Sequence, residues 1–281
     1  MLNIFRFILY RKLFKGQFKL FLWLYNRKWL KKISTVTSPI IGNFKVNINT
    51  KNYIEACIYY TGDYEAYLKD HFKKLIKQGD IVLDIGANIG FHSLYFAELA
   101  GVNGLVLAFE PIEVNFSALQ QNTTLNNFRQ ITIVNKALGN ENSQMNIHID
   151  NYTQNPGAFN LMEAGIKNTI VECIRGDDYL IANHIQKIDF IKVDVEGFEL
   201  EVIKGLSESI QKFKPIIVFE YDQDYQSKLN INPKEIFNLL TDFSYQFFVI
   251  DGYGNKKTFN TSDNIMGSEI LAIPIKSLIT N

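Results

Sequence analysis

The chain has little cysteine: two in 281 residues, Cys57 and Cys173, far apart and outside any metal-ligand spacing. That excludes a disulfide-stapled scaffold and a cysteine-built metal knuckle, and suggests free thiols in a reducing compartment. A long apolar run is missing too. In the greasiest stretch, the longest segment free of charge and side-chain amide is Leu20 to Tyr25, far short of the ~20 residues that cross a bilayer. A secretory signal would need an unbroken apolar centre and a small-residue cleavage site, and the segment reads as neither. Acid is absent from the first 54 residues, which carry 11 Lys and Arg. The rest holds 18 basic against 29 acidic residues, so a net charge of zero hides a strongly basic arm on an acidic body. Disorder is excluded by 47% hydrophobic and 14% aromatic content, enough for one α/β domain and an appendage.

The appendage is read as residues 1–38, with the domain at 39–281 and a boundary in Ser34-Thr35-Val36-Thr37-Ser38-Pro39. In residues 1–32, Phe5, Phe7, Phe14, Phe18, Trp23 and Trp29 alternate with Arg6, Arg11, Lys12, Lys15, Lys19, Arg27 and Lys28. Two readings stay open. One is an interfacial helix on an anionic membrane surface, placing the protein in the cytoplasm, peripheral on the inner face of the membrane. The other is a helical extension packed on the domain, or a dimer contact, with its basic groups solvated. Nucleic acid is disfavoured as a partner, because so apolar an arm is unlike a phosphate-binding tail.

Along the body, residues 40–60 have strand-like content and suggest a hairpin that lids a site. Residues 64–77 carry Tyr64, Tyr67, Leu68, Phe72, Leu75 and Ile76 at helical spacing. Strands are expected at 81–85, 105–109, 131–134, 188–193 and 215–219, and helices at 90–100, 113–126, 199–210 and 233–242. That alternation implies right-handed crossovers and a mostly parallel sheet. Residues 140–180 break the rhythm and read as an inserted antiparallel pair around a loop at 151–157. Tyr245 to Ile250 and Glu269 to Ile273 read as a closing antiparallel hairpin.

The most informative segment is Asp84-Ile85-Gly86-Ala87-Asn88-Ile89-Gly90, between the first strand and its helix. Glu110 follows twenty residues past Gly90, at the end of the second strand, where an acid suits the paired hydroxyls of a ribose. A dinucleotide turn would need glycine where Asn88 and Phe91 stand, and the carboxylate of Asp84 would repel a pyrophosphate. S-adenosylmethionine meets both demands, with a ribose for Glu110 and an ammonium group for the region of Asp84. An NAD-dependent oxidoreductase is the less favoured enzyme reading. A Rossmann-like module that binds a nucleotide, or nothing, and serves as a scaffold at a membrane is the rival from outside catalysis.

The chain resembles the FkbM-type methyltransferases, a branch of the class I S-adenosylmethionine-dependent enzymes. The matching residues are Gly62-Asp63-Tyr64-Glu65, Gly79 to Gly90, Phe109-Glu110-Pro111, Asn115-Phe116, Leu125-Asn126-Asn127, Asn135 to Gly139, and Ile188 to Glu199 with its Asp194-Val195-Glu196-Gly197. They span a cofactor-binding core of about 60–225. The resemblance implies a Rossmann-like fold: a mostly parallel seven-stranded sheet with a C-terminal antiparallel hairpin and helices on both faces. It supports Glu110 on the ribose, Asp84 with Gly86, Ala87, Asn88 and Gly90 around the methionine portion, and Ala137 at the adenine edge. Glu65 would close over the cofactor.

Methyl transfer to oxygen asks the protein to place the acceptor and to take its proton. Acids at the carboxyl ends of the strands are the candidates: Asp194 and Glu196 after the fourth, and Glu220 after the fifth. Asp194 would serve cofactor as well as acceptor. For Asp194 and Glu196 the bland reading is that one caps the helix near Phe198. The three acids could also hold Mg²⁺ as oxygen ligands, a conjecture that spacing alone does not support. His92 stands where it could touch ligand, whereas His71, His148 and His184 read as structural or surface. The acceptor expected from the family is a small molecule or glycan: a sugar hydroxyl of a glycan, a lipid-linked intermediate or a secondary metabolite. Oligomeric state is not legible.

Overall fold

The computed structural model describes residues 2–10, 14–149, 159–160, 167–223, 226, 232–259 and 267–275. Helices α1 (Leu2–Tyr10) and α2 (Gln17–Asn26) precede strands β1 (Ser34–Thr37) and β2 (Val46–Asn49) and helices α3 (Tyr53–Thr61) and α4 (Ala66–Leu75). The core opens with β3 (Ile81–Ile85), α5 (Phe91–Ala100), β4 (Leu105–Phe109), α6 (Glu113–Asn126) and β5 (Ile131–Val134). Then come β6 (Ala137–Gly139), β7 (Ser143–Ile149), β8 (Phe159–Asn160), β9 (Lys167–Arg175) and α7 (Gly176–Ala182). The core resumes with β10 (Phe190–Val193), α8 (Glu199–Gly205), α9 (Ser207–Phe213) and β11 (Ile216–Tyr221). It closes with α10 (Glu235–Asp242), β12 (Tyr245–Ile250), β13 (Lys256–Thr258) and β14 (Ser268–Pro274).

Among the described residues the main sheet has eight strands, in the order β13-β12-β14-β11-β10-β3-β4-β5. Strands β11, β10, β3, β4 and β5 run parallel, while β14 is antiparallel to β11 and β12. The seven strands expected are therefore joined by an edge strand, β13, whose Lys256-Lys257-Thr258 carries no apolar pattern to betray it. Strands β6, β7, β8 and β9 form a second sheet in the order β6-β9-β7-β8, in which β7 and β9 are the expected antiparallel pair. The loop placed at 151–157 and the side chain of His148 lie outside the described residues.

The N-terminal hairpin is shifted from its expected place. Strand β1 pairs with β2, and Tyr53–Thr61 is helix α3. Ser34-Thr35-Val36-Thr37 reads as a polar linker, but three of its four residues are β-branched and favour a strand. In 53–61, Ala56, Cys57 and Tyr60 turn one helical face inward. The helix expected at 199–210 is broken at Leu206 into α8 and α9.

Side chains alternate across the sheet and feed two cores. Leu83, Ile85, Leu107, Phe109, Ile191, Val193, Ile217 and Phe219 pack on one side, against α8 and α10. Val82, Val106, Ala108, Phe190 and Val218 pack on the other, with Phe72 of α4 and Leu94 and Phe96 of α5. The alternation carries Asp84, Lys192 and Glu220 to this second side, near the carboxyl ends of the strands. There Lys192 is the neighbour of Asp84 across β10 and β3, and Glu220 is the partner of Glu269 across β11 and β14. A row of ionisable groups thus crosses an apolar face.

Candidate active site

The turn from β3 to α5 limits what the first ligand can be. Gly86 has φ +84°, and a Cβ there would come within 1.9 Å of the Asp194 carbonyl oxygen, so only glycine lets the two strand ends approach. The amides of the turn are occupied from within. Those of Gly86 and Ala87 donate to the Phe109 carbonyl at 3.0 and 2.9 Å, that of Gly90 to Ala87 at 2.8 Å. Asn88 adopts φ +50°, and its N–H donates to Glu110 Oε2 at 2.8 Å. The Ile89 amide is taken by the side chain of Asn88 at 2.8 Å. A pyrophosphate cradle needs free amides at this place. Those of residues 86–90 are spent, which counts against the NAD reading.

Beside the turn opens a cavity of about 140 Å³ whose wall includes Glu65, Asp84, Gly86, Ala87, Asn88, Glu110, Asp194, Glu196 and Glu220. Nine of the expected site residues thus meet in one place. Gly90 does not face the cavity; with φ +84° it starts α5 and packs against Leu119. Ala137 lines a second, apolar cavity with Pro111, Leu138, Val195 and Phe198, and Gly86 borders both.

Glu110 is 3% exposed. Its Oε1 accepts the Ile112 N–H at 2.9 Å, and burial pushes its carboxyl up to about 7 against the opposing pull of the Ile112 and Asn88 amides. Asp84 is 1% exposed; Ser93 Oγ donates to its Oδ2 at 2.5 Å, while Oδ1 has no partner. A buried carboxylate oxygen without a donor costs free energy unless a ligand supplies one. This orphan, on a cavity that also holds Glu110, suits a cationic amine.

Three features were not expected. Lys192 is fully buried and its Nζ donates to Asp194 Oδ2 at 2.7 Å. Burial opposes its charge, but Asp194 first, then Glu65, Asp84 and Glu269, outweigh that and raise its pKa above the ordinary lysine value. The same pairing holds Asp194 below the usual carboxylate range despite its burial. Second, His92 Nε2 lies 2.9 Å from Glu65 Oε2, and His92 Nδ1 is buried without a partner. Third, Glu269 stands directly opposite Glu220, and burial with the surrounding acids pushes both carboxyls up, to about 8 and about 9. Lys192 and Glu269 had a signal in the sequence: each is a charge inside an otherwise apolar strand, Phe-Ile-Lys-Val and Glu-Ile-Leu-Ala-Ile.

Strand β10 ends at Val193, so Asp194 and Glu196 do not continue its alternation. Glu196 sits at φ +51°, a strained place for a non-glycine residue, and burial followed by repulsion from Asp194 and Glu199 pushes it up to about 7. Neither acid caps α8. The local acceptor is Glu199, whose Oε1 takes the Gly197 N–H at 2.9 Å. Glu220 lies inside β11 rather than after it. The Mg²⁺ conjecture gains no support here: Asp194 is engaged by an ammonium, and no group of three His, Cys, Asp or Glu among the described residues is arranged to hold a metal ion. His71 bonds the Gly254 carbonyl at 2.9 Å, away from the cavity.

Residues 84–247 match the family model of the methyltransferase FkbM domain. Among curated relatives, the hexuronic acid methyltransferase AglP of Haloferax volcanii is 27% identical over 168 residues, 59% of this chain and 63% of that protein. Methyltransferase 1 of Beauveria bassiana is 28% identical over 148 residues, 45% of this chain and 58% of that one. The chain therefore spans about three fifths of the length of these relatives. A solved structure, methyltransferase FkbM from Methylobacillus flagellatus KT, aligns with a TM-score of 0.44 at 15% identity, covering 73% of this chain and 50% of the other. With more than half its length inside the matched region, this chain belongs to the FkbM methyltransferase domain family.

Proposed function

We propose that the protein is an S-adenosylmethionine-dependent O-methyltransferase acting on a sugar hydroxyl. The observation that carries the cofactor is the unpartnered buried Oδ1 of Asp84, a residue that lines the cavity together with Glu110. Asp84 would receive the ammonium of the methionine portion and Glu110 the ribose hydroxyls, with Gly86, Ala87 and Asn88 as the floor. The apolar cavity of Pro111, Ala137, Leu138 and Val195 has the chemistry for an adenine ring, and Gly86 joins it to the first. Glu65, beside His92, would close the rim. When bound, S-adenosylmethionine supplies a methyl group on a positively charged sulfur.

The remaining acids face the acceptor. Asp194, held ionised by Lys192, would orient the attacking hydroxyl. Glu196 would take its proton as the carbon–oxygen bond forms and the carbon–sulfur bond breaks, since a carboxylate with a pKa near 7 is matched to that task at neutral pH. Glu220, protonated at neutrality, would donate its hydrogen bond to Asp194 and so fix the carboxylate that orients the hydroxyl. The sugar class is supported by the relative named as a hexuronic acid methyltransferase.

Calorimetric titration with S-adenosylhomocysteine tests the cofactor, and methyl transfer from labelled cofactor to a panel of hexuronic acids and neutral sugars tests the acceptor. Exothermic one-to-one binding and label on sugar oxygen are expected. No heat and no thermal shift at millimolar ligand would sink the reading and favour a scaffold.

A further inference from the structure

The arm carries a second surface. Helix α2 turns Gln17, Phe21, Leu24 and Tyr25 inward, at the 0, 4, 7, 8 spacing of one helical face; the last three pack with Ala56, Cys57 and Tyr60 of α3, and Gln17 donates to the Leu9 carbonyl of α1. Helix α1 is tied down by Arg6, which donates to the Tyr59 carbonyl at 3.2 Å and to Thr37 Oγ1 at 3.1 Å. The inward side of the arm is therefore satisfied.

Its outward side breaks the usual rule for a surface. Phe18, Trp23 and Trp29 are 51%, 42% and 58% exposed. Trp23 and Trp29 meet edge to face at 4.9 Å, and the Arg27 guanidinium lies 4.6 Å over the Trp23 ring. Around them stand Lys15, Lys19, Arg27 and Lys28, and among the described residues no carboxylate forms an ion pair with any of these. The chain's first two acids cannot neutralise them. Glu55 is buried and bonded by Asn49 and Asn52, and Asp63 is buried against Lys69. Exposed indoles and phenyls beside unanswered cations are what the boundary of an anionic bilayer accepts: rings at headgroup depth, ammonium and guanidinium groups on phosphates. No described helix is long and apolar enough to cross a membrane, so such contact would be interfacial.

The surface is also connected to the cleft. Helix α3 gives Tyr53, Ala56, Cys57 and Tyr60 to the arm, while its Ile54 lines the cavity. Tyr64 packs on the arm cluster and lines the cavity as well. We propose that the outward face of α2 with the turn to Trp29 docks on an anionic lipid surface, and that α3 thereby holds the cleft at that surface, where the acceptor is a lipid-anchored sugar. The docking stands on the arm alone; the acceptor half rests on the methyltransferase reading above.

The test is co-sedimentation of the full chain with vesicles of phosphatidylcholine alone, and with about 30 mol % phosphatidylglycerol, at low and high salt. Sedimentation with the anionic vesicles only is expected. Phe18→Ser/Trp23→Ser/Trp29→Ser should lower the bound fraction about tenfold or more, and Lys19→Gln/Arg27→Gln/Lys28→Gln should remove the salt dependence. Both variants should bind S-adenosylhomocysteine like the parent, which shows that they fold. Failure to sediment, or equal sedimentation by the aromatic variant, overturns the proposal. So does a dimer in light scattering that the aromatic variant makes monomeric, because the face would then be covered by a second copy. Vesicle binding without S-adenosylhomocysteine binding would leave docking intact and remove the acceptor half. In a transfer assay, a lipid-anchored sugar in anionic vesicles should be methylated faster than the same sugar free in solution; equal rates would overturn the acceptor half alone.

Discussion

In the cleft, Asp84, Lys192 and Glu269 are ionisable groups buried at an apolar sheet face, with Asp194 and Glu220 half-buried beside them; on the arm, Phe18, Trp23 and Trp29 are apolar rings left in water among cations. Each region inverts the ordinary distribution of polar and apolar groups, in opposite directions. In the cleft the inversion is answered internally, acid against lysine, with one carboxylate oxygen left over. On the arm it is answered by nothing in the described chain. Buried charge with a remainder implies a small ligand of complementary charge, whereas exposed rings with unpaired cations imply an extended surface.

Mutations should separate the two regions by the size of their effect on stability. Lys192→Met leaves Asp194 without its partner and Asp84, Glu65 and Glu269 without a compensating charge. A loss of ~3–5 kcal/mol is expected in denaturant unfolding, and a loss under about 1 kcal/mol would mean that the row is not held by this lysine. Glu110→Ala should weaken S-adenosylhomocysteine binding by several-fold or more, for a charge-assisted hydrogen bond of about 1.5–3 kcal/mol. Titration calorimetry reads this directly, and unchanged affinity would take Glu110 off the ribose.

The same residue gives a pH signature. Ribose hydroxyls donate to the ionised carboxylate, so binding should release a proton near the raised value of about 7, and affinity should climb from about pH 6 to pH 8. Calorimetry in two buffers of different ionisation heat measures the released proton, and Glu110→Gln should abolish it.

For the ligand-free protein the sign runs the other way. Glu110, Glu196, Glu220 and Glu269 all titrate above the usual carboxylate range, so the folded state holds protons that the unfolded chain has released. Stability is fullest below that range and falls as pH rises through about 7 to 9. Thermal unfolding across this window should show the decline, and Glu220→Gln should flatten its upper part. A stability that rises with pH there would refute the protonated Glu220–Glu269 pair. The smallest effect is expected on the arm, where Trp23→Ser should change unfolding free energy by no more than about 0.5 kcal/mol. A larger loss would show that the ring packs rather than protrudes.

Much of the core was legible in the chain. Strands β3, β4 and β5 and helices α5 and α6 lie within a residue of their expected ranges, because the apolar runs are bounded by glycine and acid signals. Edge strand β13 and helix α3 were not legible, since a short polar edge and a mixed aromatic segment carry no clear period. Of the site, the residues of one turn and three strand ends could be named from position alone. Lys192 and Glu269 lie within the expected strand runs, and no motif singles them out as site residues.

By itself the sequence determined the order of strands and helices in the core, the glycine turn that lacks two of the three dinucleotide glycines, the acid at the second strand end and the basic bias of the first 54 residues. These are local, set by backbone conformation and side-chain period within a few residues. Only the tertiary structure decided that Glu220 faces Glu269, that Lys192 answers Asp194 and Asp84, that the turn amides are spent on Phe109 and Glu110, and which rings of the arm stay in water. Those depend on strand register and on helix packing between segments up to about a hundred residues apart, and no local pattern encodes which face of one element another will cover.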